Sequence, residues 1–194
     1  MSERLKEYRG RRDFGRTGEP EGQGGGGGEE PRFVVQIHDA RTLHFDFRLQ
    51  VGDVLKSWSV PKGPSARPKD KRLAVPTEDH PLEYEEFEGV IPEGEYGGGT
   101  VIVWDRGTYE PLSGADGFQE ALRRGHVSFR LHGEKLRGSY ALTRFRGGKD
   151  GGDDEDEAWL LVRSGGSARR GTPDPRRARS VRTGRTLAQV AAGG

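Results

Sequence analysis

The stretch "QIHDARTLHFDFRL", residues 36–49, decides how this chain is read. From Leu43 to Val51 the alternation is unbroken: Leu43, Phe45, Phe47, Leu49 and Val51 fall on one side, and His44, Asp46, Arg48 and Gln50 on the other. Successive side chains of a strand point to opposite faces, so the apolar set predicts a core face. The opposite face carries His, Asp and Arg in line, where a merely solvated face would more often carry Lys, Glu, Thr and Ser. A hairpin of 33–38 with 43–51, turning around Arg41, sets His38 opposite His44 and Gln36 opposite Asp46. Cross-strand neighbours on one face lie about 5 Å apart, so His38, His44 and Asp46 could grip one ion. A loop one residue longer would turn His38 to the wrong face. Two imidazoles and a carboxylate leave coordination positions open, as a catalytic ion requires, and the set suits Mn²⁺, Zn²⁺ or Fe²⁺. Arg48 continues the same face, and a guanidinium beside a divalent ion implies an anion between them, such as a phosphate.

The remaining strand signals are "FVVQI", "VLKSWSV", "RLAV", "TVIVWD", "VSFRL", "SYALTRF" and "AWLLVR", separated by Gly, Pro and Asp. One helix is predicted at "ADGFQEALRRG", with Asp116 as N-cap, Phe118, Ala121 and Leu122 as the buried stripe and Gly125 as terminator. A second short helix is predicted in "SERLKEYRGRRDF", with Leu5 and Tyr8 on one side. Many short strands with one or two flanking helices predict a mainly β fold, a compact antiparallel barrel or sandwich. The expected organisation is an amino-terminal arm (1–21), a Gly-rich flexible linker (22–31), the barrel domain (32–163) and an Arg-rich disordered tail or connector (164–194).

Only 30% of the 194 residues are hydrophobic and 32 are Gly, too polar for the whole length to pack. There is no Cys, which excludes disulfides and thiolate metal sites and suits a reducing cytosol. No apolar run approaches a membrane span and the charged start has no signal-peptide core, so a soluble cytoplasmic protein is expected. The net charge of +1 hides an acidic run at 150–157 and eight Arg against one Asp in 163–194. Such a tail could contact a polyanion. His80 stands before Pro81 in an extended segment, clustered with Glu78, Asp79 and Tyr84, and reads as a residue presented by a loop. "GEYGGG" lacks the Lys-Ser/Thr ending and following helix of a phosphate loop, and reads as a turn feeding the next strand.

"QIHDARTLHFDFRL", "SWSVPKGPS", "KRLAVPTEDHPLEY" and "FEGVIPEGEYGGGTVIVWDRGTYEP" together resemble the 3′-phosphoesterase domain of bacterial DNA ligase D. "LKEYRGRRDFGRTGEP" before them and "GEKLRGSYALTRF" and "WLLVRS" after them extend the likeness over roughly residues 3–163; the polyglycine after "GEPEG" departs from it. The resemblance implies a small β-barrel enzyme that uses Mn²⁺, with Co²⁺ or Zn²⁺ as other occupants, to heal 3′ ends of DNA in non-homologous end joining. It would remove a 3′-terminal ribonucleotide, then the 3′-phosphate, working beside ligase and polymerase domains in a nucleoid-associated setting. By motif position, His38, His44 and Asp46 match metal ligands, Arg48 and His80 match phosphate contacts, and Tyr84 matches a residue needed for activity. Asp13, Glu19, Lys62, Arg72 and Glu78 match further active-site positions, Lys62 and Arg72 toward phosphate. Two rival readings compete. "HFD" with His126 or His132 would make the triad of a non-haem iron oxygenase. Alternatively, the Arg-rich tail would make a non-catalytic nucleic-acid-binding module, although it lacks the interleaved aromatics of stacking platforms.

Overall fold

A computed structural model describes residues 3–23, 28, 30–114, 117–146, 157–165 and 171–193. Asp116, half of the Gly-rich linker and nearly all of the acidic run lie outside the described residues. The strands are β1 (Arg32–Asp39), β2 (Leu43–Val51), β3 (Val54–Val60), β4 (Arg72–Pro81), β5 (Gly89–Ile91), β6 (Gly99–Pro111), β7 (His126–Gly133), β8 (Arg137–Arg146) and β9 (Ala158–Arg163). All pair antiparallel in the order β1-β2-β3-β4-β9-β8-β7-β6, and β1 pairs again with β6, closing an eight-stranded barrel with β5 as an added edge on β6. Closure leaves the eight strands no open edge along most of their length. The short helices are α1 (Lys6–Gly10), α2 (Phe118–Arg124) and α3 (Leu187–Gly193), with 3-10 turns at Glu3–Leu5 and Leu82–Glu86. Gly125 ends α2 in the left-handed conformation at φ +96°, which a side chain would oppose.

The predicted apolar face is the barrel interior. Phe33, Val35, Ile37, Phe45, Phe47, Leu49, Trp58, Ile102, Phe129 and Tyr140 belong to one buried cluster. Each such Phe or Leu contributes roughly 1.5–3 kcal/mol on leaving water. The alternate residues of β1 to β3 point outward, yet most of them too are covered, whereas Leu73 on β4 is exposed. A second cluster of Tyr8, Val34, Leu55, Tyr84 and Val103 forms where the amino-terminal arm and the 82–86 turn fold over the outer face. The site described below lies beside this cluster, on the barrel's outside.

Composition predicted a disordered tail over 164–194, but residues 171–193 are packed. Thr172 donates to the Pro64 carbonyl, Arg176 forms a double contact with Asp39 at 3.1 and 3.2 Å, and the Val181 N–H bonds the Val103 carbonyl at 2.9 Å. Ala178, Leu187 and Val190 join the barrel core. These apolar residues are too sparse among the arginines to stand out in an average. They suffice because the part of β6 between its β5 and β7 pairings offers backbone groups to bond. No helix among the described residues is long and apolar enough to cross a membrane.

Candidate active site

The β1–β2 register sets His38 opposite His44 and Gln36 opposite Asp46, as the three-residue turn requires. His38, His44 and Asp46 bring three ligand atoms within 4.8 Å of one another, the one such group among the described residues. His38 Nε2 lies 2.6 Å from the Gly97 carbonyl, and His44 Nδ1 lies 2.8 Å from the Thr42 carbonyl. A carbonyl only accepts, so these nitrogens carry the protons. His38 Nδ1 and His44 Nε2 are left as lone pairs, 3.6 and 3.3 Å from the Asp46 carboxylate. Anchoring the far nitrogen of each ring is what a metal-binding imidazole needs to fix its tautomer. Gly97 presents its carbonyl from a backbone at φ +74°, where glycine carries no steric penalty.

Asp46 would be pushed up by burial, but Arg48 and the two histidines outweigh this and hold its pKa well below the usual carboxylate range. Burial would likewise lower His44, yet the nearby Asp46 carboxylate and the Thr42 carbonyl raise it. The two imidazoles and the carboxylate form a donor set that fits a divalent ion of borderline hardness.

Arg48 is the next residue on this face. Its Nε donates to Gln36 Oε1 at 2.8 Å and one terminal nitrogen lies 3.5 Å from Asp46. Gln36, fully buried, donates in turn to the carbonyls of Tyr84 and Phe87. The other terminal nitrogen of Arg48 is buried without a partner. An unpaired buried cationic donor is costly, so it marks a place where an anion belongs. The Arg48 guanidinium also lies 4.8 Å from the Tyr84 ring, whose edge meets His80 at 4.7 Å.

His80 Nδ1 donates to the Glu78 carbonyl at 2.8 Å, leaving Nε2 as acceptor. Burial, then Arg48 and Arg12, push its pKa well below the ordinary histidine range. With Nδ1 committed to Glu78, the neutral ring offers only the Nε2 lone pair to the site. The Tyr84 hydroxyl donates to Glu19 at 2.7 Å, and burial and Glu19 raise its pKa well above the usual phenol value.

The amino-terminal arm supplies the roof. Arg12 bonds Glu19 at 2.9 Å and Glu78 at 3.1 Å, with its guanidinium 3.9 Å from the Tyr8 ring. Thus Glu19 and Glu78 reach the site through Arg12, Tyr84 and His80. Asp13 is exposed and accepts the Gly15 N–H within its own turn. Lys62 is exposed after β3. Arg72 shares strand parity with the core residue Ala74 and reaches Asp70 and Thr172 at 3.6 and 3.4 Å, not the histidine cluster. His126 bonds Thr143 and His132 faces Glu110, both exposed on β7, so neither completes a triad with His44 and Asp46. Arg12, Gln36 and Gly97 escaped the sequence reading. Only Gln36, facing Asp46 on the polar side, left a signal there.

Residues 36–144, more than half of the chain, match the family described as the DNA ligase D 3′-phosphoesterase domain. The chain is 48% identical over 173 residues to the multifunctional non-homologous end joining protein LigD of Pseudomonas aeruginosa, covering 84% of this chain and 19% of that protein. It is 45% identical over 148 residues to the multifunctional non-homologous end joining DNA repair protein LigD of Mycobacterium tuberculosis, covering 76% and 19%. Against the LigD protein of Mycolicibacterium smegmatis the identity is 41% over 156 residues, covering 76% and 20%. The chain thus spans about a fifth of the length of these relatives.

Proposed function

The chain belongs to the DNA ligase D 3′-phosphoesterase domain family, and from that premise we propose that it is a Mn²⁺-dependent enzyme healing DNA 3′ ends for non-homologous end joining. Water cleaves the last phosphodiester so that the 3′-terminal unit leaves as a ribonucleoside and its phosphate stays on the preceding residue; hydrolysis of that 3′-phosphate then leaves a 3′-hydroxyl for ligase and polymerase activities. One observation carries this reading: three free lone-pair donors stand beside a buried guanidinium nitrogen that lacks a partner.

His38 Nδ1, His44 Nε2 and the Asp46 carboxylate would hold the ion. Bound there, a divalent cation supplies Lewis-acid polarisation of a phosphoryl oxygen and offsets developing negative charge. The unpaired Arg48 nitrogen donates to a second phosphoryl oxygen. Because Gln36 already holds its Nε, the guanidinium plane is set before substrate arrives and little reorganisation is needed. His80 Nε2 accepts a hydrogen bond from the attacking water or from a substrate hydroxyl, with its ring fixed by Glu78 and packed on Tyr84. On a ribonucleotide end, the 2′-hydroxyl is the group available to that acceptor.

The test is a labelled primer-template with a single 3′ ribonucleotide, incubated with and without Mn²⁺. Metal-dependent conversion to a 3′-phosphate and then a 3′-hydroxyl is expected. Retention of the ribonucleotide under both conditions, together with an untouched 3′-phosphate substrate, would overturn the proposal. Oxygen-dependent turnover of the same end would favour the oxygenase reading instead.

A further inference from the structure

The packed carboxy-terminal segment is pinned to the barrel at three places, two of them beside the site. Thr172 bonds the carbonyl of Pro64, two residues after Lys62. Arg176 grips Asp39, the residue following His38. Val181 packs on the outer-face cluster that includes Tyr84 and Val103. Between and beyond these anchors the segment turns its arginines outward. Arg177, Arg182 and Arg185 are exposed, and their side chains form no ion pair or hydrogen bond among the described residues. Arg41, at the tip of the β1–β2 turn, and Arg67, in the β3–β4 loop against Gly171, are exposed along the same rim. A solvated basic tail would need none of these anchors. Here Ala178, Leu187 and Val190 are buried, so the arginines among them are carried on a packed segment.

We propose that residues 171–185 form a strap whose arginines bind the phosphate backbone of the duplex behind the 3′ end being processed. The strap carries no sequence readout: it offers no aromatic for stacking and, apart from the arginines, few side chains able to read a base. It therefore supplies affinity and direction of approach, while the outer-face site acts on the terminus. This rests on the phosphoesterase reading of the site.

The experiment uses the full chain in EDTA, where no turnover occurs, and follows anisotropy of a fluorescein-labelled primer-template ending in a 3′-phosphate. Binding is measured from 50 to 200 mM salt for wild type, for Arg177→Gln/Arg182→Gln/Arg185→Gln, and for the corresponding triple Lys variant. Each phosphate contact contributes about 0.9 to the slope of log affinity against log salt, so losing three flattens it by about 2.7. Across that fourfold salt range the wild type should then lose about 40-fold more affinity than the Gln variant. The Lys variant keeps the charges and should keep the slope. A Gln variant with wild-type affinity and slope overturns the proposal, as does a wild type that does not bind the duplex at 50 mM salt. Thermal melting of all three proteins identifies an unfolded variant, and the Lys protein then decides: it must match the wild-type slope or the proposal fails. If the Gln variant loses the slope while wild type with Mn²⁺ leaves the 3′-phosphate intact, the strap stands as a duplex-binding surface and the phosphoesterase reading falls.

Discussion

Arg12→Met isolates what docks the amino-terminal arm over the active site. The Arg12 side chain is 5% exposed, and its partners Glu19 and Glu78 are 0% and 3% exposed. Met keeps the length of the stem but leaves buried Glu19 without its cation and Glu78 with only Arg11 at 3.4 Å. It also strips the Tyr8 carbonyl of a donor. Removing one partner of a buried ion pair costs about 3–5 kcal/mol when the other partner stays buried. The chain can escape that cost by releasing the arm, because residues 3–23 are held to the barrel by this cluster, Tyr8 packing and exposed pairs such as Arg4–Asp53. A local opening of this kind is expected at lower free energy than global unfolding. Hydrogen exchange is the assay. Amides of α1 and residues 11–19 should exchange roughly a hundred- to several-thousand-fold faster in the variant, while β7, β8 and β9 keep their protection. Freed of Glu19, the Tyr84 hydroxyl should lose its fixed position and turnover should fall with arm protection. Wild-type exchange in the arm would refute the reasoning. So would a uniform loss across arm and barrel, which would make the arm part of the global folding unit.

His44→Gln should abolish metal binding in calorimetry while leaving the thermal transition within a few degrees, since its strand-mates bury the opposite face; unfolding would mark the site as structural. Arg48→Lys keeps the charge but loses the planar fork and the Gln36 bond, so turnover of a 3′-phosphate should fall about ten- to a hundred-fold, roughly 1.5–3 kcal/mol, with the metal retained. His80 is held neutral in the folded state, so its contribution to stability is present above the unfolded pKa near 6.5 and is lost as pH falls toward the depressed folded value. In metal-free protein, urea midpoints between pH 7 and 5.5 should therefore decline less in His80→Gln than in wild type, by up to about 1.4 kcal/mol per pH unit; identical declines would contradict this. Asp105→Asn weakens a buried carboxylate that accepts the N–H groups of Glu134, Lys135 and Leu136, and should cost about 1–3 kcal/mol in chemical denaturation without altering metal affinity.

The His38–His44–Asp46 group, which could hold an ion, was legible because everything it needs is local. His44 and Asp46 are two apart on one strand, and His38 is placed by a turn too short to admit another register. The apolar alternation on β2 and the Gly terminator of α2 are likewise local signals, and strands and helix formed where they stood. Arg72 shows the limit of transfer by motif: its strand parity and its Thr172 and Asp70 partners take it away from the cluster. The tail shows the limit of composition, since four apolar residues among arginines decide whether 171–193 packs.

Alternation alone placed His38, His44 and Asp46, a group that could hold an ion, on the polar face of β1 and β2 with Arg48 after it. A period of two and a three-residue turn leave one arrangement that buries the phenylalanines. Only the tertiary structure decided the protonation of that triad, through carbonyls at Thr42 and Gly97, and the aim of Arg48, through Gln36 and the 82–86 turn. It also placed Arg12 between Glu19 and Glu78, 66 residues along the chain from Glu78. These contacts join segments whose separation carries no periodic signal. They exist because closing the barrel brings the arm, the turn and the strands against one outer face, where buried polar groups must find partners or leave a space for an anion.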